Sequence, residues 1–284
     1  MDWTTLVDVE ALAAALDDPG LRIVDARFAL MDPAAGRQAY LQSHLPGAVH
    51  ADLNEDLSDL SRADLGRHPL PDDAAFARKL GEWGIGPDHQ VVVHDAGDGS
   101  MAAARLWWLL KLLGHRRVAV LDGGLAAWRA RGLPETAALP DVVPSPAYPA
   151  RFDMRKVVDA AEVLQRLGEG SGWLFDARAP ERFRGEVEPI DPIAGHVPGA
   201  INRPFGANLR DGRFKSPAEL QAELTPMLAG RRPGDLVLMC GSGVTACHLL
   251  LAFEHARLPG ARVYAGSWSG WITDPARPVE RNAP

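Results

Sequence analysis

Short apolar runs alternate along the chain with longer stretches whose apolar positions recur every three or four residues. The runs at 21–25, 91–94 and 117–121 are rich in β-branched residues, and those at 173–176, 236–239 and 261–264 are their apolar counterparts in the second half. They predict strands buried on both faces. The stretches 8–16, 73–82, 102–113, 159–167, 218–229 and 245–256 predict helices. Such alternation implies parallel sheets covered by helices on both faces, with ligands bound beyond the carboxyl ends of the strands.

The pattern occurs twice. IVDAR (23–27) returns as LFDAR (174–178), and SHLPGAVH (43–50) as GHVPGAIN (195–202). VVVHDAGDGS (91–100) matches LVLMCGSGVT (236–245), which sets Asp95 opposite Cys240. VLDGGLAAW (120–128) matches VYAGSWSGW (263–271). Four blocks in one order, far apart in sequence, indicate a duplicated domain rather than a short-period solenoid. Between the copies, residues 133–153 carry Pro134, Pro140, Pro144, Pro146 and Pro149, which disfavour helix and sheet ladder alike. The expected division is a first domain over 1–135, a proline-rich linker over 136–155 and a second domain over 156–284.

Composition narrows the function. The 284 residues carry 37 acids against 30 Lys and Arg, a formal net charge of -7. That balance argues against nucleic acid or an anionic membrane as the main partner. Hydrophobic residues make up 46%, enough for two cores. No apolar run is long enough to span a bilayer. The acidic N-terminal stretch does not resemble a signal or transit peptide, so the expected location is the cytoplasm. Cys240 and Cys247 are the only cysteines, which excludes a disulfide scaffold and a multi-cysteine zinc site. No metal is expected.

Cys240 follows the strand run LVLM and precedes the helical stretch ACHLLLAFEHA. The loop Gly241-Ser242-Gly243-Val244-Thr245 can curl so that its amides, with the positive end of the helix dipole, form a nest for an anion. The thiolate is the nucleophilic form of cysteine. Cys240 is therefore the candidate nucleophile and the loop its cradle. Cys247 lies seven positions on, away from C-x-x-C spacing, and reads as helix core. The tryptophans Trp107, Trp108, Trp128, Trp268 and Trp271 read as packing.

The loop C-G-S-G-V-T-A, the D-A-R and G-H-[IV]-P-G-A blocks and the terminal G-S-W-x-x-W resemble the tandem rhodanese-domain sulfurtransferases. That family comprises thiosulfate and 3-mercaptopyruvate sulfurtransferases, and the resemblance covers both halves. It implies two α/β domains, each a parallel five-stranded sheet flanked by helices, with only the second catalytic. Asp95 in place of a cysteine agrees. It also implies that Cys240 takes sulfur from a small anionic donor as a persulfide. A thiophilic acceptor such as cyanide, a dithiol or thioredoxin then removes it. No cofactor is implied.

Thiosulfate-preferring members carry basic residues directly after the cysteine. The neutral Gly241-Ser242 pair resembles the mercaptopyruvate type. Arg182 matches the family arginine that binds substrate, and a guanidinium suits a carboxylate through paired hydrogen bonds. Arg178 is expected to pair locally with an acid, and Arg184 to be a solvated charge. Mercaptopyruvate enzymes usually carry a second arginine before G-H-[IV]-P-G; here GEVEPIDPIAGH (185–196) has none, and Ile190 stands near its place. His44 matches a family position assigned to proton transfer, yet its repeat partner His196 favours a structural turn element.

Three other readings stand beside this one. Thiosulfate:cyanide sulfurtransfer is the nearest alternative. A rhodanese-like binding module without activity is a second. A Cys-dependent phosphatase is a third, and it needs an arginine six positions after the cysteine, where this chain has Ala246.

Overall fold

The computed structural model describes residues 1–281. The chain forms two compact units, each with its own hydrophobic core. One comprises Met1–Asp59 and Leu70–Asp153; the other comprises Leu60–Pro69 and the chain from Met154 onward.

In the first unit the order is β1 (Leu6–Val7), α1 (Val9–Ala14), β2 (Leu21–Asp25), α2 (Pro33–Gln42), β3 (Ala48–His50), α3 (Asp73–Glu82), β4 (Gln90–His94), α4 (Ala103–Leu112), β5 (Val118–Leu121) and α5 (Gly124–Ala130). The strands form one parallel sheet in the order β1-β5-β4-β2-β3. β4 is buried at every position, as its apolar run requires in a sheet covered on both faces.

The second unit repeats the plan. It contains β6 (Val157–Val158), α6 (Ala160–Arg166), β7 (Leu174–Asp176), α7 (Pro180–Arg184), β8 (Ile201–Asn202), a small hairpin of β9 (Leu209–Arg210) and β10 (Arg213–Phe214), and α8 (Pro217–Met227). It ends with β11 (Val237–Met239), α9 (Thr245–His255), β12 (Arg262–Tyr264) and α10 (Ser267–Trp271). Its parallel sheet runs β6-β12-β11-β7-β8, the same order as the first. Two five-stranded α/β sheets are what the resemblance implies.

Repeat equivalence extends to single hydrogen bonds. Asp8 caps α1 by accepting from the Ala11 amide, and Asp159 caps α6 from the Glu162 amide. Trp128 donates to the Pro134 carbonyl and Trp271 to the Pro278 carbonyl, both at 2.9 Å.

Chain division differs from the sequence expectation at two places. Residues 60–69, expected within the first domain, belong to the second unit. Gly66 explains the docking: it sits at φ +118°, and a Cβ there would come within 2.7 Å of the Gly266 carbonyl oxygen. The Arg67 amide then donates to Ser269 Oγ at 3.0 Å. The proline-rich stretch, expected as an extended linker on the surface of the domains, packs along the first unit and is counted with it up to Asp153. Its Ser145, Tyr148 and Asp153 amides donate to the carbonyls of Gly81, Ala77 and Leu112. Having few ladder partners of its own, it satisfies its backbone against a ready-made surface.

Candidate active site

Cys240 stands directly after β11, the middle strand of its sheet, at the strand's carboxyl end. The side chain is 1% exposed. Gly243 donates its amide to Cys240 Sγ at 3.1 Å. That glycine lies at φ +78°, and a Cβ would come within 2.3 Å of the Ala265 carbonyl oxygen, so no other residue fits the turn. Ser242 is buried, Val244 precedes the first turn of α9, and Thr245 opens that helix. The loop is braced from α10. Trp268 and Ser269 donate their amides to the carbonyls of Cys240 and Gly241 at 2.9 and 2.8 Å. The Cys240 amide donates to Ser267 Oγ at 3.0 Å.

Cys247 is fully buried in α9, and its thiol donates to the Gly243 carbonyl at 3.0 Å. It is a packing and bracing residue, as its spacing suggests. Neither cysteine is in a disulfide.

The arginines divide as their sequence settings imply, with one change. Arg178 pairs bidentately with Asp176, its Nη2 2.7 Å from Oδ2, and also donates to the Gly195 carbonyl. In the first unit Arg27 holds Asp25 and the Ser43 carbonyl in the same way. D-A-R is thus a structural clasp in both copies. Burial works against the Arg178 charge, but Asp176, Glu188 and the Cys240 sulfur outweigh it and raise its pKa. Arg184 is on the surface, paired with Glu186. Arg182 lies beside the loop, with both Nη atoms 3.6 Å from where a Cβ on Gly241 would stand. Its Nε–Nη2 edge is already occupied. Nε donates to Glu188 at 3.1 Å, and Nη2 to Glu188 at 2.6 Å and to Asp191 at 3.1 Å. The paired grip expected of Arg182 alone is therefore reduced to Nη1, which has no acceptor among the described residues.

Burial of Glu188 opposes its charge. Its hydrogen bonds from Arg182 and from the Asp191 and Ile190 amides nevertheless hold its carboxyl below the ordinary glutamate range.

Two residues that sequence reasoning missed complete the site. His68 Nδ1 lies 2.9 Å from Ser242 Oγ, and both side chains are buried. Arg67 reaches within 3.2 Å of the Gly241 Cβ position through Nη2. Neither lies in a repeated block or near a recognisable motif; the only local signal is Gly66 before them.

His44 behaves as a structural element. One ring nitrogen meets the Tyr40 carbonyl at 2.7 Å, and the ring stacks on Tyr40 at 4.1 Å. His196 meets the Phe183 carbonyl at 2.8 Å and stacks on Phe183 at 3.9 Å. The same pairing in both copies explains why the histidine recurs.

Asp95 occupies the place of Cys240 in the first unit. Its carboxylate accepts from the amides of Gly97, Gly99 and Met101 at 3.0 to 3.2 Å. Burial pushes the Asp95 carboxyl up despite these amides, and the first loop is filled by its own side chain.

The family model for the rhodanese-like domain matches residues 8–131 and again 159–274. A probable 3-mercaptopyruvate sulfurtransferase of Pseudomonas aeruginosa is 50% identical over 98% of this chain and 99% of its own length. A putative thiosulfate sulfurtransferase of Mycobacterium tuberculosis is 43% identical over 93% of this chain and 92% of its own. The crystal structure of a 3-mercaptopyruvate sulfurtransferase from Escherichia coli superposes with a TM-score of 0.78 at 35% identity. It covers 94% of this chain and 100% of that one. With two matched domains, two sheets of one order and relatives that share nearly its whole length, the chain belongs to the rhodanese family and is a sulfurtransferase.

Proposed function

We propose that the chain moves sulfur from 3-mercaptopyruvate, through a persulfide on Cys240, to a thiol acceptor such as a dithiol or thioredoxin. The observation that carries this reading is the Gly243 amide donating to Cys240 Sγ, with Arg182 beside the same loop. The Cys240 thiolate attacks the donor's thiol sulfur, and the bond between that sulfur and carbon breaks. The electron pair leaves on the carbon as the enolate of pyruvate, which takes up the proton that the donor thiol gives up. Ser242, with His68 behind it, is suited to carrying that proton. The outer sulfur on Cys240 is anionic and is held by the loop amides. An acceptor thiolate then attacks it, forming a new S–S bond and returning the Cys240 thiolate, so the reaction runs in two half-steps. The first domain, with Asp95 in its loop, is non-catalytic. A reducing compartment such as the cytoplasm suits the chemistry, which needs Cys240 as a thiol.

Thiosulfate is the second reading, favoured by the name given to the mycobacterial relative. Charge around the loop favours the keto acid. Arg67, Arg178 and Arg182 face Asp176, Glu188 and Asp191, so positive and negative charges balance. A dianion entering this setting loses water without net compensation, whereas a monoanion asks for less.

Steady-state turnover with both donors, together with the mass of Cys240 after donor alone, tests the reading. A single added sulfur on Cys240 and a higher kcat/KM for mercaptopyruvate are expected. Arg182→Ala should lower that kcat/KM roughly 10- to 150-fold. Preference for thiosulfate, or added sulfur on Cys247 alone, overturns it.

A further inference from the structure

The stretch between Gly185 and His196 has no arginine to give a second contact to the donor's carboxylate. Ile190, near the expected place, is 39% exposed and contributes only its amide, which donates to Glu188. We propose that Arg67 supplies the missing contact: with Arg182, it holds the carboxylate of the keto-acid donor over Gly241. This assignment rests on Cys240 acting as the sulfur carrier.

Position is the first argument. The 60–69 segment sets two successive residues against two successive residues of the cysteine loop. Arg67 Nη2 lies 3.2 Å from the Gly241 Cβ position, and His68 meets Ser242 Oγ at 2.9 Å. A side chain at 241 would fall where the guanidinium groups stand. Positive charge thus reaches this point from outside the loop.

Coupling is the second. Asp191 is 7% exposed and bridges the two cations. Oδ1 accepts from Arg67 Nη1 at 2.6 Å, and Oδ2 accepts from Arg182 Nη2 at 3.1 Å. One buried carboxylate therefore fixes both guanidinium groups on the same side of Gly241. The Arg67 amide, pinned to Ser269 Oγ, fixes the other end of the residue.

Unspent donors are the third. Among the described residues, Arg67 Nη2 and Arg182 Nη1 have no acceptor, and Arg67 Nε is buried without one. Arg67 Nε is the buried one of the three, whereas Arg67 Nη2 and Arg182 Nη1 are not enclosed and stay open to a ligand oxygen beside Gly241. Two guanidinium groups each offering one nitrogen suit a carboxylate with two oxygens. Arg182 alone cannot do this, because its paired edge is taken by Glu188.

The test is single-turnover loading of Cys240 by 3-mercaptopyruvate in the full-length chain, followed by mass spectrometry. Arg67→Ala is expected to raise the concentration for half-maximal loading roughly 10- to 100-fold, with the limiting rate within about threefold of wild type. Arg67→Lys should recover part of the loss. Competition then separates charge recognition from general damage. Pyruvate should protect the Arg67→Ala chain at least tenfold less well than wild type, whereas uncharged pyruvamide should protect both equally. Unchanged loading by Arg67→Ala overturns the assignment, as does an equal loss for pyruvate and pyruvamide. If wild type itself does not load from mercaptopyruvate, the donor reading fails first, which is a different result.

Discussion

The amide of Cys240 donates to Ser267 Oγ at 3.0 Å, and Ser267 offers that hydroxyl from a left-handed backbone at φ +52°. The matching residue of the first unit is Gly124, at φ +53°. Glycine takes that conformation without cost, whereas serine does so at about 1–3 kcal/mol. The second unit thus keeps a strained serine where the first has glycine. Its hydroxyl also donates to the Tyr264 carbonyl at 3.0 Å and lies 4.0 Å from Cys240 Sγ.

Two substitutions at 267 separate strain from hydrogen bonding. Ser267→Ala keeps the strain and leaves the buried Cys240 amide without its partner, at a cost of about 1–3 kcal/mol. Ser267→Gly loses the same bond but relieves the backbone, so its stability should lie close to wild type. Both should slow sulfur transfer roughly tenfold, about 1.4 kcal/mol at the transition state. Denaturant midpoints and turnover read the two effects independently. Full activity in both variants would show that the hydroxyl serves the backbone alone.

Cys247 braces the residue that touches the sulfur. Its thiol donates to the Gly243 carbonyl, and the Gly243 amide donates to Cys240 Sγ. Serine can make the first bond and alanine cannot. Cys247→Ser should hold activity within about threefold of wild type, whereas Cys247→Ala should fall further. Cys240→Ser should abolish transfer. Equal loss in folded Cys240→Ser and Cys247→Ser chains would contradict the division of roles.

Short apolar runs made the central strands legible, apolar positions recurring every three or four residues made six of the helices legible, and four blocks that each occur twice made the duplication legible. The outer strands Leu6–Val7, Ala48–His50, Val157–Val158 and Ile201–Asn202 were not, because two or three residues carry no period. α5, α7 and α10 escaped as short helices, and α2 escaped because only Gly36 and Tyr40 of its ten residues are buried, which leaves no apolar stripe. Cys240 and its loop could be found because strand, glycine turn and helix are contiguous in sequence. Arg67 and His68 could not, since they reach the site through tertiary docking of residues 60–69. Arg182 was visible, but its engagement by Glu188 and Asp191 depends on how the 185–191 turn folds back.

Asp95 tests whether position alone makes a catalytic residue. Asp95 and Cys240 both directly follow a central strand, yet the next helix begins at Ala103 in one copy and at Thr245 in the other. The first loop is longer, and its amides converge on a carboxylate that reaches further than a thiol. A chain carrying Asp95→Cys with Cys240→Ser should therefore transfer no sulfur. Appearance of a persulfide at position 95 during incubation with donor would show that any cysteine after such a strand suffices.

Glu188 sets the acid limit of the site. Its side chain is 3% exposed and accepts from Arg182 Nε and Nη2 and from the Ile190 and Asp191 amides. Burial raises its pKa, but those donors outweigh it and bring the folded value below the ordinary 4.5. A carboxyl with a depressed folded pKa contributes stability that is fully present above its unfolded value. That stability is lost as pH falls through the folded value. Wild type should therefore lose stability below about pH 4.5 as Glu188 takes up a proton. Glu188→Gln removes the charge at every pH and leaves Arg182 with one partner fewer. It should cost about 3 kcal/mol at pH 7, as breaking one side of a buried pair does. On acidification the two chains should converge, because protonated glutamate resembles glutamine. Urea unfolding at pH 7 and at pH 3 measures the difference at each end. A difference that stays constant between them would mean that the Glu188 charge does not hold this corner of the site together.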